Sequence, residues 1–290
     1  MPVGFPLHSF FGAVSIAFGA CIGSFLNVCV YRIPRDISLA APRSFCPACK
    51  SKIPWYWNIP LVSFVVLGGH CRYCGARISA RYFVVEALTA LLFWLVYLKF
   101  LPLVPPASEP ALGLEPARDF LLLPVYWLVV SGLIAGTFID FEHLIIPDRI
   151  TLGGIIAGLV LSTAVPSLHN TGHRFYALYL SAVGAGVGWG LLWLVAVFGR
   201  LAFKKEAMGF GDVKLLGAIG AFLGWRAVLF TVMLSSLAGS VVGMVLVALR
   251  AKRMQSRMPY GPYLALAAIV WVLWGPFLWD AWLAFLGGAI

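Results

Sequence analysis

The sequence predicts an all-α polytopic membrane protein of about eight transmembrane helices with one small cytoplasmic zinc-knuckle insert. Three observations carry that expectation. Hydrophobic residues make up 61% of the chain and charged residues 11%, whereas a water-soluble domain carries about a quarter charged residues. Apolar runs recur near the length of roughly 20 residues needed to cross a hydrocarbon core of about 30 Å. The basic residues sort by loop instead of spreading over one face.

The apolar runs fall at 9–31, 83–101, 120–139, 150–166, 176–198, 210–225, 227–249 and 262–286. The first lacks a basic n-region and outruns the h-region of a secretory signal, so it reads as a retained helix. The runs at 150–166 and 210–225 are short and glycine-bearing, and the second suits a tilted or broken element lining a cavity. The net charge of +10 does not indicate nucleic acid, because 17 of the 21 Lys and Arg residues lie in 32–82, at 149, in 200–214 and in 250–257. The opposite side holds Lys99, Arg118, Arg174 and Arg226 with the acids Glu109, Glu115 and Asp119. Positive-inside bias then places 32–82 in the cytoplasm and both termini outside, which requires an even number of spans.

The organisation that follows is a first transmembrane helix (1–31), a cytoplasmic four-cysteine zinc-binding domain (32–82), and a membrane-embedded domain of about seven helices (83–290). The stretch 102–119 contains five prolines and reads as an irregular external loop. The insert has no periodic apolar stripe long enough for a core, so something else must hold it together.

The cysteines supply that something. Cys46-Pro-Ala-Cys49 and Cys71-Arg-Tyr-Cys74 are separated by 21 residues. A two-residue gap lets both thiolates of a knuckle reach one ion, and two knuckles complete a tetrahedron around structural Zn2+, with no position open for water. Two disulfides, a redox pair or knuckles that no longer bind metal are the competing readings, and a reducing cytoplasm disfavours the first two. Cys21 and Cys29, inside the first apolar run, read as small buried residues.

Ionisable side chains at membrane depth are functional candidates, because burying them in hydrocarbon is costly. Two clusters qualify, both on the cytoplasmic side by the charge count. One is Asp140-Phe-Glu142-His143-Leu-Ile-Ile-Pro147-Asp148-Arg149 and the other is Gly209-Phe-Gly211-Asp212-Val-Lys214. Two aspartates held close share one proton, so that one activates water while the other polarises a scissile carbonyl. Glycines beside Asp212 would let a substrate backbone approach and would allow dihedrals closed to other residues. No serine sits in a G-x-S-x-G elbow and no HExxH is present, which leaves an aspartate-based hydrolytic site as the economical reading. Each aspartate could instead be a helix cap, and Asp148, just after Pro147, suits that use best.

These motifs, in this order, resemble those of the type IV prepilin peptidases, bacterial leader peptidases of the aspartic GxGD class. The resemblance covers nearly the whole chain. It runs through Gly23-Ser-Phe-Leu-Asn-Val28, Tyr31-Arg-Ile-Pro34, Asn58-Ile-Pro-Leu-Val-Ser63, the paired CxxC knuckles and Tyr82 to Glu86. It continues through Ile139 to His143, Ile146-Pro-Asp148, Met208 to Leu215 and Pro259-Tyr-Gly-Pro-Tyr263. The resemblance implies that Asp140 and Asp212 are the catalytic pair, supported by Glu142, Asp148, Gly209, Gly211 and Lys214. It implies cleavage of the basic leader after Gly, in type IV prepilins or type II secretion pseudopilins, at the cytoplasmic face of the bacterial inner membrane.

The resemblance further implies S-adenosyl-L-methionine-dependent N-methylation of the new terminus, and Glu86 is the candidate for orienting that amine. No nucleotide-binding fingerprint accompanies it. The chain departs from the family pattern in a short connection of about a dozen residues between Pro34 and Cys46. The competing functions are an ion-coupled transporter that relays protons through the same carboxylates, recognisable by coupled flux in vesicles, and a non-catalytic prepilin-binding assembly protein, recognisable by leader retention.

Overall fold

A backbone in lipid must satisfy its own polar groups, and a helix does so within one segment. The computed structural model describes residues 4–41, 44–100, 121–203, 208–249 and 259–287, and helices account for most of them. The proline-rich stretch 102–119, the lysines at 204 and 205 and the basic stretch 250–257 lie outside the described residues. The chain divides into two units, 1–111 and 112–290.

In the first unit, helix α1 (Gly4–Arg32) packs on α3 (Arg81–Phe100), and the insert between them contains the short helix α2 (Val62–Val66). Small residues set the spacing of the long pair. A Cβ on Gly19 would lie 2.8 Å from Ala90 Cα, and one on Gly23 would lie 2.7 Å from Glu86 Cα. Two helices approach this closely only where one lacks side chains, which in lipid brings van der Waals contact and backbone dipoles together. Asn27 Nδ2 donates to the Tyr82 carbonyl at 3.0 Å and ties the end of α1 to the start of α3.

The second unit comprises α4 (Leu122–His143), α5 (Asp148–Ala164), α6 (Arg174–Phe203), α7 (Phe210–Ala248) and α8 (Gly261–Gly287). Among the described residues, six helices are long and apolar enough to cross a membrane, namely α1, α3, α4, α6, α7 and α8. The difference from the eight expected apolar runs lies at two places, and at both the run itself is helical. The run at 150–166 forms a helix of only 17 residues. The runs at 210–225 and 227–249 are one 39-residue element broken at Gly224, whose φ of 79° and ψ of 173° are not helical. Glycine adopts that φ without a Cβ clash, so the break can sit inside an apolar run.

The break redirects the chain sharply. Val228 Cγ2 lies 2.9 Å from the position a Gly220 Cβ would take, although a straight helix would separate residues eight apart by about 12 Å. The Ala221 carbonyl, in the turn before the break, accepts the Ser181 hydroxyl at 2.7 Å and lies 3.5 Å from Ser162 Oγ. Ser162 Oγ is also 3.0 Å from His169 Nε2, whose burial lowers its pKa below the usual imidazole value.

The arm of α7 before the break, 210–223, sits between α5 and α6 on glycine faces. Gly154 and Gly158 of α5 meet Ala218 and Ala221, while Gly184 and Gly188 of α6 lie directly against the carbonyls of Gly220 and Leu216. Backbone meets backbone on both sides, so this arm has little freedom to slide or rotate. Asp212 sits at its base.

Candidate functional site

Asp140 occupies the last turn of α4. Its carbonyl accepts the Leu144 N–H at 2.9 Å, and Leu144 closes the helix in the left-handed region at φ 54°. A leucine there is strained by roughly 1–2 kcal/mol, so surrounding contacts must impose the turn. It sends Ile145-Ile146-Pro147 back beneath the helix, where Ile146 is buried among α4, α7 and α8.

Ile146 is the packing node of the site. It lies 3.7 Å from the Cβ position of Gly136, 3.2 Å from that of Gly211 and 2.9 Å from that of Gly261. Gly211 precedes Asp212 directly, and the Gly261 N–H donates to Asp140 Oδ2 at 3.1 Å. One isoleucine thus bridges the element that bears Asp212 and the helix start that holds Asp140. The two aspartates are 5% and 8% exposed, and the elements that carry them meet at Ile146.

The glycines of the GxGD segment serve space and not dihedral freedom, contrary to half of the sequence expectation. Gly209 caps α7 at φ −70°, Gly211 lies in its first turn, and neither has a positive φ. A Cβ on Gly209 would come within 3.3 Å of Asp212 Oδ2. The Asp212 side chain therefore folds back over the N-terminus of its own helix, where backbone N–H groups favour a carboxylate.

The supporting residues separate. Lys214 Nζ donates to Asp148 Oδ1 at 2.6 Å, joining the first turns of α7 and α5. Asp148 lies in the first turn of α5, just after the N-cap Pro147, and its carboxylate carries the ion pair. Asp148 is 60% exposed in that pair, which points to alignment of two helix starts with less than about 1 kcal/mol of stability. Glu142 is exposed, with Oε2 3.9 Å from His143 Nε2.

Sequence reasoning missed Gly261 and Ile146 as parts of the site. A Pro-Tyr-Gly-Pro start to α8 was the visible signal, since Pro is favoured at helix starts. We expect Gly261→Ala to push against both Asp140 Oδ2, at 2.8 Å, and Ile146 Cδ1, at 2.9 Å. A displacement near 1 Å at a reacting group lowers turnover by about 100-fold. Timed turnover checks this, and Gly261→Ala combined with Ile146→Val, which removes Cδ1, should recover part of the loss.

The four cysteines of the insert converge. Their Sγ atoms lie within 4.8 Å of one another, and Cys46 Sγ is 3.9 Å from Cys74 Sγ. Tetrahedral zinc with bonds of about 2.3 Å places sulfurs roughly 3.8 Å apart, so the donor set fits a closed metal centre. Each knuckle is the same turn. The Cys46 N–H donates to Ser51 O and its carbonyl accepts Lys50 N, as the Cys71 N–H donates to Ala76 O and its carbonyl accepts Gly75 N. Lys50 and Gly75 take the same left-handed conformation, at φ 59° and 67°.

The thiols themselves favour a cation. Hydrogen bonds from the Ser51 side chain and backbone lower Cys49 to about 6, and the backbone N–H groups of Tyr73 and Cys74 lower Cys71. Against the Ala76 N–H, which lowers it, desolvation and the bonds its thiol makes to the other three sulfurs push Cys74 up to about 11. Thiolates already formed resist the next one, and a divalent ion removes that resistance. Glu86, in the same unit, is 8% exposed and accepts the Leu61 N–H at 2.7 Å.

Two families match this chain, over the residues that build these two units. Bacterial Peptidase A24 N-terminal domain matches residues 17–100, and Type IV leader peptidase family matches 127–244. A protein of Aeromonas hydrophila described as Prepilin leader peptidase/N-methyltransferase is 37% identical over 89% of each chain. The chain belongs to the type IV leader peptidase family. Proteins of the same description from Pseudomonas putida and Legionella pneumophila are 34% identical over 96% of each chain and 30% identical over 89% of each. No solved structure matches. In this leader peptidase family member the matched residues 127–244 include both aspartates, and 17–100 include all four knuckle cysteines.

Proposed function

We propose that this chain is a bifunctional enzyme of the bacterial inner membrane that removes the leader from type IV prepilins or pseudopilins and then methylates the amine it has freed. The observation that carries the reading is the convergence of Asp140 and Asp212, 72 positions apart in the sequence, around Ile146 and the start of α8. The relatives that share both halves of the chain bear both activities in their description. Phe141, Leu144 and Ile145 beside one aspartate and Phe210 beside the other are exposed apolar residues, which suits an apolar N-terminal helix presented from the bilayer.

Asp140 and Asp212 act as one unit sharing a proton. The ionised carboxylate takes a proton from water while its protonated partner polarises the scissile carbonyl, and the pair then returns a proton to the departing amine. A Gly before the cleaved bond exposes backbone to both groups. Segment 32–82 and the two aspartate loops face the cytoplasm with both termini outside, as the distribution of Lys and Arg supports. Residues 32–82 form one functional part and the C-terminal helices another.

Cys46, Cys49, Cys71 and Cys74 hold structural zinc, which stands in for the core the insert lacks. Cys71→Ser should lower bound zinc, measured by elemental mass spectrometry at pH 7, from one ion per chain to under about a tenth. Full zinc retention in that variant would remove the metal site from the account. S-adenosyl-L-methionine supplies an electrophilic methyl group for the second activity.

The function is tested by incubating purified prepilin with this protein in lipid nanodiscs and S-adenosyl-L-methionine, followed by intact-mass spectrometry. Loss of the leader with gain of one methyl mass is the expected result. An intact prepilin, under conditions in which a relative cuts it, would overturn the reading.

A further inference from the structure

The first unit encloses a cavity of about 410 Å³ between the end of α1, the start of α3 and the knuckles, a size that takes a ligand of cofactor dimensions. Its polar lining holds Arg32, Arg72 and Arg77 together with the acceptors Asn27 and Glu86. Asn27 is 1% exposed, and its Nδ2 donates to Tyr82 O, which fixes the amide and leaves Oδ1 as a buried acceptor with no donor. Glu86 also lines the cavity. Among the described residues, no cation pairs with its carboxylate, which takes only the Leu61 N–H and a bond from Ser24. A buried carboxylate and a buried orphan amide oxygen lining one cavity ask for N–H donors from a ligand.

The backbone beside them is strained for a purpose of the same kind. Leu61, at φ 62° and ψ −50°, is the centre of a three-residue turn in which Val62 N–H donates to Pro60 O at 2.6 Å. This turn type is rare and strained. Glu86 pins it through the Leu61 N–H, so the carboxylate holds one edge of the cavity in place. The knuckles complete the enclosure with Trp57, over which the Arg72 guanidinium lies at 5.5 Å. An aromatic face and arginines together with two acceptors suit a zwitterionic adenosyl compound and a primary amine.

We propose that this cavity is the methyl-transfer site, with Glu86 the base that takes a proton from the pilin's free α-ammonium and Asn27 Oδ1 the acceptor that orients it. The inference rests on the methyltransferase reading above. Proton transfer to Glu86 leaves a neutral amine; its lone pair forms the N–CH3 bond as the C–S bond breaks. The bonding electrons pass to sulfur as a neutral thioether, and the product is an N-methylammonium. The charge before and after is the same.

The test uses the full chain in nanodiscs with Glu86→Gln, Asn27→Ala and a cavity-filling Ser63→Trp. Leader removal serves as the control for folding, and should stay within about twofold of the parent in all three. At pH 7 Glu86→Gln should methylate about 100-fold more slowly or worse, the usual span for loss of a general base. The deficit should shrink by pH 9, where an α-amine of ordinary pKa near 8 is already neutral. Calorimetric binding of S-adenosylhomocysteine should persist in Glu86→Gln and vanish in Ser63→Trp. Parental methylation in Glu86→Gln, a deficit that does not change with pH, or undiminished binding in Ser63→Trp would overturn the placement. A parent that neither methylates nor binds S-adenosylhomocysteine would instead overturn the methyltransferase reading itself.

Discussion

Asp212→Asn, and separately Asp140→Asn, should slow leader removal by about 10⁴-fold or more, the scale of loss when one member of a catalytic unit is removed. Asparagine keeps the shape and an acceptor oxygen. In Asp140→Asn the Gly261 N–H, 3.1 Å from Oδ2, still has a partner, so the start of α8 stays in place. What is lost is the ability to accept and return a proton between two groups. Purified variants should therefore match the parent in thermal stability and should still methylate a pilin peptide supplied without its leader. Timed gel assays measure the first effect and mass spectrometry the second. Parental cleavage by both variants would dismiss the pair, and loss of folding would assign the residues a structural role.

The largest effect on folding should come from Gly188→Val. The Cβ position of Gly188 falls onto the carbonyl of Leu216, and that of the neighbouring Gly184 onto the carbonyl of Gly220. Both obstacles are backbone, so no side-chain rotation relieves the clash. Helix α6 must move away from the arm of α7 that carries Asp212 at its base. Overpacking usually costs about 1–3 kcal/mol, and a rigid backbone contact in a close helix pair belongs at or above that upper end. The expected result is a yield of monodisperse protein reduced several-fold and a clear fall in melting temperature. Gly190→Val is the matched control, because nothing lies within 4 Å of its Cβ position.

The chemistry of this chain was more legible in its sequence than the geometry was. Paired CxxC spacing announced a four-sulfur centre because a knuckle is a local turn, and local turns are written in consecutive residues. Asp140 and Asp212 stood out because acids are rare in an apolar chain. The boundary between the runs at 210–225 and 227–249 was legible, but the residue that makes the break was not. Gly224 sits in an apolar run beside Gly220, and composition does not reveal which of the two takes the left-handed φ that breaks the helix. Gly261, Ile146 and the orphan Asn27 oxygen were hidden for a related reason. Each acquires its role from a residue distant in the chain, and a single sequence carries no periodic trace of such a pairing.

The claim that Asp140 and Asp212 work as one unit is tested most directly by placing both substitutions in the same chain. Single-turnover leader removal is then timed for the parent, the two Asn variants and the double variant. Residues that act together lose their contribution at the first substitution, so the double variant should be no slower than the slower single one, within about threefold. Losses that multiply would mean that the two carboxylates act independently, and the shared-proton account would be wrong.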